Sequence, residues 1–298
     1  MVMLLLACAD KESAAPTPAS PGVIDVRVEV PAAEEGYFDL VGPEYTIEPY
    51  TEVMYCSYIT NTTGTDLIVP YVDGLQGEYG HHVVLLATDV EKPDGTTEDC
   101  SSATSMANLH AYVIADLELP AGAAVRIPGD VQFVMQSHYV NTTGTPILTR
   151  DVMRFTVVTE SEVEQYAAPF AATSLGFELP PMETTDLSFD CEFPEDISMS
   201  LVGPHMHEWG TYFETLIGPT EDELETVLLV DPWRTEYRDD PPIQLFLENP
   251  KPVSAGSIVR TRCVWYNDTN EPITFPEEMC ATFGYMVGTD QPMDCRIN

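Results

Sequence analysis

Five of the six histidines in this 298-residue chain lie in three short motifs, and histidine is the commonest metal-ligating side chain in proteins. The motifs are His81-His82 in QGEYGHHVVLLATD, His138 in FVMQSHYVNTTG, and His205 with His207 in GPHMHEWGTYF. Imidazole nitrogens bind copper in both oxidation states. The distribution therefore predicts a metal-binding protein, and it leaves His110 without an assigned role.

The spacing within each motif suits a β-strand to a different degree. His205 and His207 would point to the same face of a strand, although an isolated H-x-H also occurs by chance. His81 and His82 would face opposite ways unless the backbone bends, and Gly80 before them permits such a bend. Without it, one ring is packed and the other exposed. His138 shares a strand face with Gln136, and taken alone it is equally well a half-buried, hydrogen-bonded histidine.

The segments that carry these motifs have the pattern of strands. Apolar and polar residues alternate in VIDVRVEV, DVQFVMQSHYV and SIVRTRCVWY, and the chain contains 25 Pro and 18 Gly. This pattern is typical of strands separated by turns, and no long amphipathic helix is predicted. The length is about that of two domains, and a single large β domain is the alternative. We expect the joint between them in the more polar, less strand-like segment 160–174.

Three segments repeat one pattern, in which an aromatic-bearing strand is followed by an Asn/Thr-rich turn and a second strand. They are CSYITNTTGTDLIV (56–69), SHYVNTTGTPILT (137–149) and CVWYNDTNEPITF (263–275). The repetition predicts three β-hairpins. Asn61, Asn141 and Asn267 also form N-x-T sequons, which we interpret as turn residues.

The charge balance excludes one class of partner. Twelve Lys and Arg stand against 49 Asp and Glu, for a formal net charge of −37. A field of this sign repels nucleic acid and anionic membrane surfaces, so neither is a predicted partner. The acidity is interpreted as a solvated surface, with an acidic binding site as the alternative.

The start of the chain and the cysteines indicate export. Residues 1–22, MVMLLLACADKESAAPTPASPG, hold a short apolar run that ends at Cys8 and a Ser/Ala/Pro tract, similar to a bacterial lipoprotein signal and tether. An ordinary export signal or a chance apolar start is the alternative. Six further cysteines include no CxxC pair, so three disulfides are predicted, with fifteen possible pairings.

Four motifs occur along the chain in the order found in one known family. They are His81-His82, Gln136-Ser137-His138-Tyr139, His205-Met206-His207 and Glu278-Met279-Cys280. From about residue 25 to the C-terminus, the chain resembles the copper type II ascorbate-dependent monooxygenases, the family of peptidylglycine α-hydroxylating monooxygenase and dopamine β-monooxygenase. The resemblance implies an all-β fold of two antiparallel, jelly-roll-like β-sandwich domains that face each other across a cleft. The domains would span residues 23–165 and 166–298, after a tether at residues 1–22.

The resemblance implies two copper ions per chain. One would be held in the first domain by His81, His82 and His138, and the other in the second domain by His205, His207 and Met279. A soft thioether favours Cu(I), the form that meets O2. Gln136 matches a residue implicated in electron transfer between the coppers, and a hydrogen-bonded strand glutamine is the alternative.

The resemblance also implies a disulfide pairing. The expected bonds are Cys56–Cys100, Cys191–Cys295 and Cys263–Cys280. The last of these would pin the strand that carries Met279. One family disulfide is missing, because Ala87 stands where a cysteine would follow the His-His strand.

The implied activity is hydroxylation of a C–H bond with O2, with ascorbate or another external reductant as electron donor. Peptide-amidating members bind the substrate carboxylate with an arginine, an asparagine and a tyrosine, where this chain has Gly203, Ala281 and Phe283. Without a cation and its polar partners, the desolvation of a carboxylate is not compensated. The prediction is therefore a neutral or cationic small-molecule substrate, and not a glycine-extended peptide.

The expected protein is an exported monomer, either a bacterial envelope lipoprotein attached only through Cys8 or a secreted protein. Two other classes stay open. One is a non-catalytic copper-binding envelope protein for storage or delivery, and the other is a structural or adhesive lipoprotein with incidental histidines. A carrier needs only one copper site, so two separate ligand sets favour the enzyme.

Overall fold

The computed structural model describes residues 22–297, apart from residues 61–62, 102–107, 117, 130, 239 and 276. Cys8 with the predicted lipoprotein signal, and Asn61, lie outside the described residues. Within the described part the chain is built of strands, and its helical segments are short 3-10 turns at Glu160–Glu162, Glu221–Glu223 and Thr235–Arg238. None of the described helices is long and apolar enough to cross a membrane. The all-β prediction is confirmed.

Among the described residues, each half of the chain contributes twelve strands. Strands β1 to β12 are Ile24–Asp25, Tyr37–Val41, Tyr45–Ile47, Thr51–Thr60, Leu67–Leu75, Gly80–Thr88, Thr97–Asp99, Leu109–Ile114, Ala123–Ile127, Gln132–Asn141, Ile147–Thr149 and Val152–Val158. Strands β13 to β24 are Gln165–Ser174, Glu178–Leu179, Thr184–Glu192, Ile197–His205, Gly210–Gly218, Glu225–Val230, Gln244–Leu245, Lys251–Val253, Ile258–Tyr266, Ile273–Thr274, Cys280–Val287 and Met293–Ile297. In β21 every second residue is buried, as expected for a strand with one face on the core.

Two β-sandwiches result, joined by one long sheet. In the first half, a five-stranded sheet of order β7-β4-β10-β6-β8 packs on strands β9, β5, β12 and β2 of a ten-stranded sheet. In the second half, a four-stranded sheet of order β15-β21-β17-β18 packs on β16, β23 and β13 of that same ten-stranded sheet. The expectation of two sandwiches is confirmed.

Residues 165–174 form strand β13, so the expectation that segment 160–174 has little strand character was wrong. After the turn at Glu160–Glu162, β13 pairs in parallel with β9 and antiparallel with β23. The segment QYAAPFAATS is mostly buried along its length, so it lacks the alternation that marks a half-exposed strand. The strand was not recognised in the sequence because its residues are small and it is buried on both faces.

The three Asn/Thr-rich repeats are not hairpins, so that prediction was wrong. In each repeat the two strands belong to different sheets: β4 and β5, β10 and β11, and β21 and β22. Asn141 and Asn267 are buried, and their Nδ2 atoms donate to the carbonyl oxygens of Ile47 (3.2 Å) and Leu179 (2.9 Å). Each asparagine therefore stabilises a corner where the chain passes from one sheet to another. The local sequence of such a corner is the same as that of a hairpin turn.

The disulfides follow the pairing implied by the family resemblance. They are Cys56–Cys100, Cys191–Cys295 and Cys263–Cys280. Three disulfides are typical of a protein from an oxidising compartment. The third bond connects β21 to the first residue of β23, across the second sandwich.

Side chains of β16 and β23 point alternately into the cores of the two halves. Val202 and Met286 point into the core of the second half, whereas Leu201 and Tyr285 join the core of the first half. A register shift lies between Met199 and Leu201. Since alternate residues of a strand face opposite sides, the odd-numbered residues from Leu201 to His205 in β16, and those of β23, face the first half.

Candidate metal centres

His81, His82 and His138 form one cluster, which we call the first centre. Their candidate ligand atoms lie within 4.8 Å of one another, the one such group of three among the described residues. The His138 ring centroid is 5.0 Å from that of His81 and 4.9 Å from that of His82. Two nitrogens on one tetrahedral ion with bonds of about 2.0 Å lie about 3.3 Å apart, so small side-chain movements suffice for shared ligation.

A β-bulge brings the adjacent histidines to this cluster. Strand β10 aligns His138 with His82 but Tyr139 with Gly80, so His81 is an extra residue in β6. A bulge of this kind breaks the alternation of faces and re-aims a side chain. The bend that the sequence required is therefore present.

Gly80 is needed because a side chain would not fit there, and not for its own backbone conformation. The unusual backbone conformation belongs to its neighbour. Tyr79 has a positive φ of 73°. A Cβ at Gly80 would lie 2.7 Å from the Cβ of Gln76, closer than real side chains approach. The bulge therefore needs glycine at position 80 for close packing of the preceding loop.

Glu52, on neighbouring strand β4, holds the ring of His138. His138 is buried, and its Nε2 lies 3.0 Å from Oε1 of Glu52. A ring that donates its Nε2 proton to a carboxylate keeps its lone pair on Nδ1, as metal-ligating histidines commonly do. Glu52 is not recognisable as a site residue from the sequence, because its contact with His138 joins residues 86 positions apart.

Gln136 lies beside the first centre. It is buried, two residues before His138 on the same strand, and its Nε2 is 3.8 Å from Sγ of Cys100. The side chain thus packs against the Cys56–Cys100 disulfide. Its predicted part in electron transfer stays a prediction.

His205 and His207 form the second centre. Their Nε2 atoms are 3.1 Å apart, close to the separation of about 3.3 Å expected for two nitrogens on one tetrahedral ion. Nδ1 of His207 donates to the carbonyl oxygen of Glu277 at 3.0 Å. That bond leaves the His207 lone pair on Nε2, where it faces His205.

A buried carboxylate, Glu278, organises the loop around His207. It accepts hydrogen bonds from the backbone N–H of His207 (3.0 Å) and Trp209 (2.9 Å) and from the indole N–H of Trp265 (2.9 Å). Burial raises the pKa of Glu278, and these donors act in the opposite direction. The carboxylate holds the loop of His207 against the segment that carries Met279.

Met279 lies at the same end of the sheet as the two histidines. It is half-buried between Glu278 and Cys280, and its own N–H lies 3.1 Å from Oε2 of Glu278. Ala281, two residues further on, is aligned with His205 across β23 and β16. The backbone therefore places Met279 next to the second centre, and ligation through its sulfur stays a prediction.

All three tryptophans of the chain surround the second centre, which the sequence alone did not reveal. The indole N–H of Trp233 donates to the His207 carbonyl oxygen at 3.0 Å, and Trp265 donates to Glu278. Trp209 lies two residues after His207 and was the only local signal. These rings give the loop of His207 a rigid aromatic setting.

The two centres share an electrostatic environment. Burial lowers the pKa of His205, and electrostatic interactions with His207, His82 and Arg238 lower it further. His82 belongs to the first centre, so the halves bring both clusters within range of each other. The neutral imidazole favoured at His205 is the form that binds a metal.

An apolar surface lies beside His205 at Gly203, Ala281 and Phe283. Gly203 is aligned with Phe283, and a Cβ at Gly203 would lie 2.5 Å from both the Phe283 ring and the side chain of Ile243. Ala281 is buried opposite His205. These positions share the sheet face of His205 and provide no charged group.

Comparisons with known proteins leave the family open. No family model matches the chain, and no curated protein sequence matches it. Among solved structures, the STIV MCP is 10% identical over 84% of this chain and 96% of its own, with a TM-score of 0.31. PNGF-II is 10% identical over 85% of this chain and 60% of its own, with a TM-score of 0.32. Similarity this low says nothing about what the chain does.

Proposed function

We propose that this protein is a copper-dependent monooxygenase that hydroxylates a C–H bond of a small organic molecule, with O2 and an external one-electron reductant. The observation that carries the proposal is the presence of two imidazole clusters, one in each half. The first contains His81, His82 and His138, and the second contains His205 and His207. A storage or delivery protein needs only one such cluster.

The donor sets fit copper. Three imidazoles bind copper in both oxidation states, and two imidazoles with the predicted thioether of Met279 favour Cu(I). His138 and His207 each contact an oxygen acceptor through one ring nitrogen, which leaves the other nitrogen for an ion. The lowered pKa of His205 keeps that ring neutral and ready to ligate at neutral pH.

When bound, copper at the second centre would supply O2 reduction and C–H oxidation, and copper at the first would supply a further electron. The protein's own residues orient and shield this chemistry. Glu52 orients His138, and Glu278 fixes the backbone of His207. The apolar surface formed by Ile243 and Phe283 excludes water beside His205 and would contact the apolar part of a substrate.

The substrate proposed is neutral or cationic. The surface at Gly203, Ala281 and Phe283 offers no partner to a carboxylate, and the net charge of −37 attracts cations to the protein. Glycine-extended peptides are therefore not proposed as substrates. Ascorbate or another small reductant would supply electrons.

The proposed location is outside the cytoplasm, in a bacterial cell envelope or secreted. The three disulfides support an oxidising compartment. Cys8 is the proposed point of lipid attachment and the only proposed contact with a membrane. The protein is proposed to be a monomer.

Oxygen consumption by the copper-loaded protein tests the function. With ascorbate and a panel of neutral and cationic small molecules, we expect substrate-dependent uptake of O2. When ¹⁸O2 is used, mass spectrometry should find one labelled oxygen atom in the product. Two bound coppers without substrate-dependent uptake would support storage or delivery instead, and a protein that binds no copper would contradict both functions.

A further inference from the structure

The carboxylate that orients His138 also contacts an arginine from the other half of the chain. Oε1 of Glu52 lies 3.0 Å from Nε2 of His138 and 3.7 Å from Nη2 of Arg238. Glu52 is on β4 of the first half, and Arg238 ends the 3-10 turn Thr235–Arg238 of the second half. One carboxylate thus joins the first centre to the second half of the chain.

The same arginine reaches the second centre with its other nitrogen. Nη1 of Arg238 donates to Oε1 of Glu208, the residue directly after His207. The charge of Arg238 also acts on His205 itself. The guanidinium is therefore linked to His138 through Glu52 and to the His207 loop through Glu208.

Packing fixes the position of Arg238 relative to the second centre. The Tyr237 ring lies against Trp233, with ring centroids 5.7 Å apart, and the Trp233 indole donates to the carbonyl oxygen of His207 at 3.0 Å. A rigid aromatic contact thus holds the turn that carries Arg238 to the histidine loop. The guanidinium is consequently a fixed point from which the second half can hold Glu52.

We propose that Arg238 is a positioning residue that sets the separation of the two centres, by pairing with Glu52 in the first half and Glu208 in the second. We call these three residues the Arg238 bridge. The inference rests on the proposed function, because it takes both centres to hold copper. The Glu52 and Glu208 side chains are 52% and 38% exposed, so added salt screens the bridge.

The first test needs no metal. In a double-mutant cycle, the melting temperatures of the wild type, Arg238→Gln, Glu52→Gln and the double variant are compared without copper. The bridge predicts that Arg238→Gln lowers the melting temperature more when Glu52 is present than in Glu52→Gln, where only the pair with Glu208 is still lost. Additive effects of the two substitutions would overturn the bridge.

The second test measures the distance between the centres. With Cu(II) bound at both, the magnetic dipolar interaction between the ions should be well defined in the wild type and lost or broadened in Arg238→Gln. High salt should have the same effect on the wild type and little effect on the variant. Arg238→Lys, which keeps the charge, should recover part of the interaction.

Arg234→Gln is the matched control, because Arg234 belongs to the same segment but pairs with Glu236 at 3.6 Å. It should leave the dipolar interaction unchanged. An interaction in Arg238→Gln identical to that of the wild type overturns the inference while the copper function stands. Failure of either centre to bind copper overturns the proposed function and the copper separation with it, and the metal-free cycle then reports on the bridge alone.

Discussion

The Nε2 atoms of His205 and His207 face each other at 3.1 Å, although His205 is the last residue of β16 and His207 lies beyond the strand. The bond from His207 Nδ1 to the Glu277 carbonyl oxygen puts a lone pair on the facing nitrogen. The tautomer of His205 that carries its proton on Nε2 can donate that proton to the lone pair. With an ion, both lone pairs are available at a separation that one ion can span.

Replacement of Met279 by Ile should remove the second copper selectively. The change nearly conserves volume, so the fold should stay intact, while the soft ligand for Cu(I) is lost. Cu(I) titration should then find about one copper per chain, and substrate-dependent O2 uptake should collapse. Met286→Ile, at a buried position on β23, the strand that follows Met279, is the control for packing and should keep both coppers. Unchanged Cu(I) stoichiometry and affinity in Met279→Ile would exclude Met279 as a ligand.

Copper at the second centre should quench the tryptophan fluorescence. Trp209, Trp233 and Trp265 all lie around the loop of His207, and a bound Cu(II) ion quenches nearby indoles. Cu(II) titration should therefore quench most of the emission in the wild type. The quenching should persist in His81→Ala, which damages the first centre, and be lost in His205→Ala. Equal quenching in both variants would mean that copper binds elsewhere.

Removal of the Glu52 carboxylate should weaken the first centre. Partners that orient a metal-ligating histidine typically contribute about 10- to 100-fold in metal affinity. Glu52→Ala should therefore weaken Cu(II) binding at the first centre by about that factor, and Glu52→Gln should weaken it less, because the amide oxygen still accepts a hydrogen bond from His138. Competition with a chelator measures the affinities. Glu48→Ala removes an exposed charge nearby, and an equal loss there would point to general electrostatics.

The disulfides should separate stability from copper binding. Loss of Cys263–Cys280, whose cysteines are 17 residues apart, should cost about 3 kcal/mol of unfolding free energy, and loss of Cys191–Cys295, 104 residues apart, should cost more, about 4 to 5 kcal/mol. Only the first should weaken the second copper, because Cys280 adjoins Met279. Denaturant unfolding and Cu(I) titration of the Cys→Ala pairs measure both effects. Equal copper affinity in the two variants would argue against this role of the Cys263–Cys280 bond.

Asp151 should make stability fall as pH rises from the acid range. Burial raises its pKa above the usual value, against hydrogen bonds from Ser137, Tyr139 and Gln76 that lower it. A raised pKa in the folded state means that the stabilising contribution is complete below the unfolded value of about 3.8 and is lost as pH rises through the folded pKa. Relative to Asp151→Asn, the wild type should therefore lose melting temperature as pH rises above the unfolded value of 3.8 towards the raised pKa of the folded state. Parallel pH profiles for the two proteins would show that Asp151 ionises without penalty.

Strand periodicity and residue type were enough to predict the fold class and the number of disulfides from the sequence alone. Alternation in segments such as SIVRTRCVWY identified strands because one face must be buried, and β21 has that pattern. The even cysteine count indicated three disulfides, and family resemblance identified their pairing. The positions of five histidines in three motifs predicted a metal-binding protein, and the family resemblance implied which of these histidines lie together.

Only the tertiary structure shows which strand or side chain lies against each strand face and each histidine. The buried corner asparagines Asn141 and Asn267 and the central strand β13 have local sequences that also suit hairpins or linkers, and only non-local pairing distinguishes them. Glu52, Glu278 and Arg238 are ordinary charged residues in the sequence. They matter because folding brings them against histidines or their loops from distant segments. Hydrophobic pattern determines which side of a strand is buried, whereas the sheet that covers it depends on the path of the whole chain.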